Sequence, residues 1–222
     1  MTTTDVLISP VAANPAIDLS GVPCLVAGYA GRDETSVRAH IHELQEIGVA
    51  PPPRVPMFYP MSRGLLTTQP LITVSGAQTS GEVEPVFAVT SEGIFLGVGS
   101  DHTDRELETR DVLDSKLACA KPIGSTFYRI SSWDEVDWDA IRIRSWVDGL
   151  LYQDGYLSQL RHPLDLLEIY RSRENGNPQT LVCFGGTVPI IGGTFQYGRS
   201  WQISLEMPGR GAITHSYTVK EK

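Results

Sequence analysis

The chain has 222 residues, enough for one large domain with a sizeable core. Apolar residues make up 41% and charged residues 20%, the balance of a globular protein, which excludes a disordered one. The net charge of −8, with no Lys/Arg run, argues against nucleic acid as a partner, because phosphate binding needs a basic face.

No stretch approaches ~20 consecutive apolar residues, so no membrane span is expected. The start, MTTTDVLISPV, lacks the basic region and long apolar core of a signal peptide. Cys24, Cys119 and Cys183 are widely separated and odd in number. They fit no metal-knuckle spacing and read as reduced thiols of a cytoplasmic protein, each a small core residue. Residues 1–25 are expected to pack as an N-terminal segment on a single domain over 26–222.

In chain order, PCLVAGYAG (23–31) reads as a short buried strand ending in a glycine turn. DETSVRAHIHELQEIG (33–48) predicts a helix. Asp33 through Ser36 offer caps, Val37, Ile41, Leu44 and Ile47 recur at helical spacing, and Gly48 can stop it. APPPRVP (50–56) must be extended. From Leu71 the pattern changes. LITVS, PVFAVT, IFLGVG and IRIRSWVDGLLYQ read as strands separated by glycine turns, with SEG (91–93) as a hairpin signal. DRELETRDVLDSKLAC (104–119) predicts one helix capped by Asp104, and PLDLLEIYRSR (163–173) another with Pro163 in its first turn. TLVCFGGTVP, SWQISLEM and AITHSYTV return to strands. Without regular strand–helix alternation, the fold class is α+β.

Three acids stand out. Glu82 and Glu84 are two apart and so share one face of a strand. A hairpin turning near Ser91–Gly93 would bring Asp101 beside them. Three convergent carboxylates suit Mg²⁺ or Mn²⁺. On spacing alone, solvated strand-edge charges are the favoured reading. His40 and Glu43, three apart on the first helix, form a candidate acid/base dyad, although exposed His–Glu pairs are common. HIHE is not HExxH, and no GxSxG, GxGxxG or P-loop occurs, so zincin, serine-hydrolase and nucleotide chemistry have no support.

Taken in order, these segments resemble the fumarylacetoacetate hydrolase family from about Val26 to Val219. The carriers are AGYAGRD, HIHE with the proline-rich stretch after it, EVE, GVGSDHTDRE, KPIG, VDGLLYQDG, GGTVP and the final PGRGAITHSYTV. Fewer residues separate Glu84 from Asp101 than the family has, and His102 replaces an apolar residue. The resemblance implies a mixed β-roll core, a homodimer, and Mg²⁺-dependent (or Mn²⁺-dependent) chemistry on a small-molecule keto acid. It implies Glu82, Glu84 and Asp101 as metal ligands, with His40, oriented by Glu43, activating water. Lys116, with Lys121 as its rival, and Gln153 would meet developing negative charge. Arg105 and Thr187 would bind substrate. The leading expectation is hydrolysis of a C–C bond in an acylpyruvate-like β-diketo acid through an Mg-stabilised enolate. The alternatives are decarboxylation, hydration/dehydration or isomerisation at the same site, or a non-catalytic small-molecule binding module. The segment around His40 is expected to act as a lid.

Overall fold

The computed structural model describes residues 19, 22–46, 48–173 and 180–222. Most of the expected N-terminal segment lies outside these, but Leu19 and Val22 pack against the core. The longer strands, in chain order, are β1 (Cys24–Gly28), β2 (Met57–Met61), β3 (Leu71–Val74), β4 (Val83–Thr90), β5 (Gly93–Ser100) and β6 (Tyr128–Ile130). They continue with β7 (Arg142–Val147), β8 (Leu150–Tyr156), β9 (Leu181–Phe184), β10 (Ser200–Met207) and β11 (Gly211–Glu221). The helices are α1 (Glu34–Glu46), α2 (Arg105–Glu108), α3 (Val112–Leu117) and α4 (Pro163–Arg173).

Two mixed sheets make the α+β core. One runs β6-β5-β4-β9-β1-β2, the other β8-β7-β10-β11-β3. The β1–β9 and β11–β3 pairs are parallel and the remaining neighbours antiparallel. The first sheet is buried on both faces, which is why its strands are continuous apolar runs such as LVCF. Val26, Val86 and Phe184 pack toward Leu113 and Leu117 of α3, while Leu25, Phe87 and Cys183 pack toward Leu166 and Leu167 of α4. The second sheet buries one face only. Ile143, Ile203, Leu205 and Ile213 meet Val83, Leu96 and Val98 of the first, and β7 alternates half-buried and buried residues accordingly.

Turns fall where their residues allow. The β7–β8 hairpin turns at Asp148–Gly149, both at positive φ (48° and 83°), as a two-residue Asp-Gly connection requires. One local expectation needs correction, and one strand went unread. The helix over 104–119 is two helices. Asp104 caps α2 by accepting from the Glu106 and Leu107 N–H groups, and Asp111, extended at φ −152°, caps α3 afresh by accepting from Asp114 N–H. The strand Met57–Met61 was not legible because Pro60 interrupts it. It lies at the edge of its sheet, where a missing N–H is tolerated.

Candidate active site

The β4–β5 hairpin pairs from Thr90↔Gly93 at its turn to Val83↔Ser100 at its open end. Asp101 follows at once, and its N–H donates to the Glu82 carbonyl at 3.0 Å. Glu82, Glu84 and Asp101 therefore gather at one hairpin end. Glu84 and Asp101 are buried, whereas the Glu82 side chain keeps 17% of its exposure.

Cations of the chain are interleaved with these acids. Arg105, placed by the Asp104 cap at the start of α2, sends Nη2 to within 3.2 Å of Glu82 Oε2 and Nη1 to 2.8 Å from Glu108 Oε2. Its Nε donates to Ser80 Oγ at 2.6 Å. Both candidate lysines reach Asp101: Lys116 Nζ pairs with Oδ2, and Lys121 Nζ lies 2.9 Å from Oδ1. The sequence posed them as rivals, and the fold uses one on each oxygen. Lys121 also donates to the His102 carbonyl at 2.6 Å.

Burial alone would raise the Asp101 carboxyl, but the two ammonium groups reverse this and hold it well below the usual carboxylate range. Burial would likewise lower Lys116, yet Asp101, Glu82 and Glu108 keep it above its ordinary value. Lys121, fully enclosed and facing Lys116, is lowered, chiefly by burial. His102 is pushed down to about 3 by burial and then by Lys121 and Arg105, so it is neutral. It lies between Tyr217 OH (3.1 Å from Nδ1) and Thr79 Oγ1 (3.0 Å from Nε2), which is how a polar ring fits where an apolar residue was expected.

Glu84 differs from its neighbours. Burial first, then the Asp101 charge, pushes its carboxyl well above the usual range. Gly186 N–H donates to its Oε2 at 2.8 Å, and among the described residues no ion pair reaches it. Gly186 itself sits at φ +92°, where an added Cβ would stand 2.8 Å from the Ala30 methyl. Among the described residues no three His, Cys, Asp or Glu side chains close into a ligand set, since both Asp101 oxygens face lysines. The donor chemistry nonetheless fits a hard divalent cation. Glu82 and Glu84 offer oxygens only, and Glu84 is a buried carboxylate without a cationic partner.

Gln153 and Thr187 hold the acid strand. Gln153 Oε1 accepts from Val83 N–H at 2.9 Å and Ser145 Oγ at 2.8 Å, and its Nε2 donates to Thr187 Oγ1 at 2.8 Å and Val188 O at 2.7 Å. Thr187 Oγ1 in turn donates to Val83 O at 2.8 Å. Val83 is the residue between the two glutamates, so this clamp fixes where both point. Every hydrogen-bonding position of the Gln153 amide is taken by protein.

His40 and Glu43 lie on the exposed side of α1, with His40 Nδ1 3.7 Å from Glu43 Oε2. His42 and Glu46 repeat the arrangement at 3.6 Å. The fold therefore does not single out the dyad, and among the described residues no contact joins it to the acids. Its link to the site is Tyr29, whose ring centroid is 6.4 Å from that of His40. Tyr29 stands at φ +56°, a sparsely populated backbone for an aromatic residue, in a turn the sequence marked only by its glycines.

A family model described as "protein of unknown function (DUF2848)" matches residues 27–217. The chain belongs to the DUF2848 family. No curated protein matches it. This DUF2848 chain is similar in structure to a protein of Yersinia pestis CO92 described as of the fumarylacetoacetate hydrolase family. The two are 16% identical at a TM-score of 0.63, over 92% of this chain and 95% of that one. It is also similar to 5-carboxymethyl-2-hydroxymuconate delta-isomerase from Mycobacterium smegmatis, at 16% identity and a TM-score of 0.61, over 91% and 80% of the two chains. A third likeness is to a 2-keto-3-deoxyarabinonate dehydratase, at 16% identity and a TM-score of 0.59, over 90% and 74%. These likenesses show a fumarylacetoacetate-hydrolase-like fold. No helix of the described residues is long and apolar enough to cross a membrane.

Proposed function

We propose that this chain is a divalent-metal-dependent enzyme acting on a small β-diketo or α-keto acid, with C–C bond hydrolysis as its reaction. The observation that carries the reading is that Glu82, Glu84 and Asp101 sit together at the open hairpin end, with Glu84 buried and, among the described residues, without an ion pair. Glu82, Glu84 and Asp101 would hold Mg²⁺ or Mn²⁺. Bound there, the ion supplies Lewis-acid charge and a template for the substrate's carboxylate and keto oxygen. Lys116, held protonated beside Asp101, is the least enclosed of the three cations around the acids and would neutralise negative charge as it develops. Arg105 balances Glu82 and presents a guanidinium edge to an anionic substrate. Gln153 and Thr187 keep the two glutamates aligned.

His40, oriented by Glu43, would activate the attacking water. Among its described residues α1 buries only Val37, so it is weakly anchored and free to close as a lid that carries the imidazole inward. The exposed, duplicated His–Glu geometry favours a second reading. In it the same acids and Lys116 serve a lyase or isomerase that needs no attacking water.

One experiment separates the two. β-Diketo and α-keto acids are screened with Mg²⁺ and with EDTA, and His40→Ala is assayed on the best substrate. Hydrolysis predicts activity that EDTA abolishes and a kcat lowered by ~10²–10⁴ in His40→Ala, the scale of a lost general base. Full turnover by His40→Ala gives first place to the lyase or isomerase reading, with Lys116 as the proton-handling residue. Turnover indifferent to EDTA removes the metal from both.

A further inference from the structure

A cavity of about 270 Å³ beside the acid cluster has no role in the chemistry above. Its charged lining is Arg105, Glu106 and Glu108, and its apolar lining is Leu44 of α1 and Val49, with Phe195 and Tyr197 of the loop before β10. Arg105 belongs both to this cavity and to the cluster, since its Nη2 is 3.2 Å from Glu82 Oε2. Only 3% of the Arg105 side chain is exposed, and Nη2, although near Glu82 Oε2, makes no hydrogen bond among the described residues. Phe195 lies on the guanidinium, with Cζ 4.1 Å from the ring centroid. Tyr197 is 48% exposed, a large ring left uncovered at a polar surface.

We propose that this cavity receives the part of the substrate distal to the chelating keto-acid end, and that Phe195 and Tyr197 select an apolar, ring-sized substituent over a second carboxylate. The inference rests on the keto-acid reading and adds to it a substrate class. Size supports it: voids of about 150 Å³ accept a benzene-sized ring, so this cavity has room for a phenyl or branched alkyl group. Charge supports it as well. Glu82 and Glu108 already balance Arg105, and Glu106 and Glu108 leave the wall acidic, so a second carboxylate would meet like charge in a partly desolvated site. Arg105 Nη2, ion-paired with Glu82 but making no hydrogen bond among the described residues, is left to donate to a carbonyl between the keto acid and the apolar group. Phe195 and Tyr197 are thus specificity-determining residues.

The test is competitive calorimetry on the Mg²⁺-loaded protein with three ligands: oxalate, 2-oxo-4-phenylbutanoate and 2-oxoglutarate. Oxalate reports the chelating end alone, and the other two differ in carrying a ring or a carboxylate. The phenyl compound should bind roughly tenfold to a hundredfold more tightly than 2-oxoglutarate, the scale of burying one aromatic side chain. Phe195→Ala should bring the ratio to within about threefold while oxalate affinity stays unchanged, and Phe195→Leu should keep most of the preference. Oxalate binding with no preference for the ring, or a preference that survives both Phe195→Ala and Tyr197→Ala, overturns the inference and leaves the keto-acid reading standing. Absence of oxalate binding overturns that reading, and the inference with it.

Discussion

Glu84→Gln is expected to make the metal-free protein more stable, by about 1–3 kcal/mol, while removing its stabilisation by Mg²⁺. The two effects share a cause. Glu84 is buried, receives one hydrogen bond from Gly186 N–H, and sits near the Asp101 charge, which Lys116 offsets only in part, with no ion pair among the described residues. Without a cation it must take up a proton or carry an uncompensated charge, and its raised pKa records that cost. A glutamine keeps the acceptor for Gly186 and has no charge to bury. An ion at a hundredfold its Kd should stabilise the wild type by about 2.7 kcal/mol, and the variant by nothing measurable. Urea unfolding in EDTA and in Mg²⁺ checks both signs. A destabilised metal-free variant that still responds to Mg²⁺ would mean that Glu84 is paired with a group other than the ion.

Lys121→Met should cost roughly 3 kcal/mol, near the lower end of what removing one partner of a buried ion pair costs. Asp101 would keep Lys116 but lose the ammonium on Oδ1, and the His102 carbonyl would lose its donor. Lys116→Met should cost less, under about 2 kcal/mol, because Lys116 is the less enclosed of the two and Asp101 retains Lys121. Activity should follow the opposite order. Lys116→Met should abolish turnover, while Lys121→Met should retain part of it in the folded fraction. Denaturant midpoints and kcat for both variants measure this. Equal destabilisation, or a reversed order, would show that the fold does not divide the two lysines into an enclosed prop and a residue facing substrate.

What the sequence disclosed about this site was what local rules govern. The i, i+2 spacing of Glu82 and Glu84, the turn at Ser91–Gly93 and the Asp104 cap each depend on a few neighbouring residues, and together they predicted acids meeting at a hairpin end. The structure puts them there. The pairing of the cations was not legible. Lys116 and Lys121 look like alternatives along the chain, and only the return of α3 and the segment after it shows that one can occupy each oxygen of Asp101. Gln153 and Thr187 lie far from Val83 in sequence, so their clamp on its backbone leaves no periodic trace. Phe195 and Tyr197 sit in a loop without period. Nothing in the loop's own residues says that it lies against Arg105, some ninety positions earlier. His40 shows the converse. Its spacing to Glu43 was legible, but on α1 the same spacing recurs in His42 and Glu46, so the pattern reported a helix face before it reported a site.

The central claim is that the hairpin end is a metal site. It is tested most directly by calorimetric titration of Mg²⁺ or Mn²⁺ into EDTA-stripped wild type and into folded Glu84→Ala. The account predicts about one ion per chain in the wild type, the number that one cluster of three carboxylates can hold, and no binding in the variant. No binding by the wild type, or unchanged affinity in a folded Glu84→Ala, would contradict it.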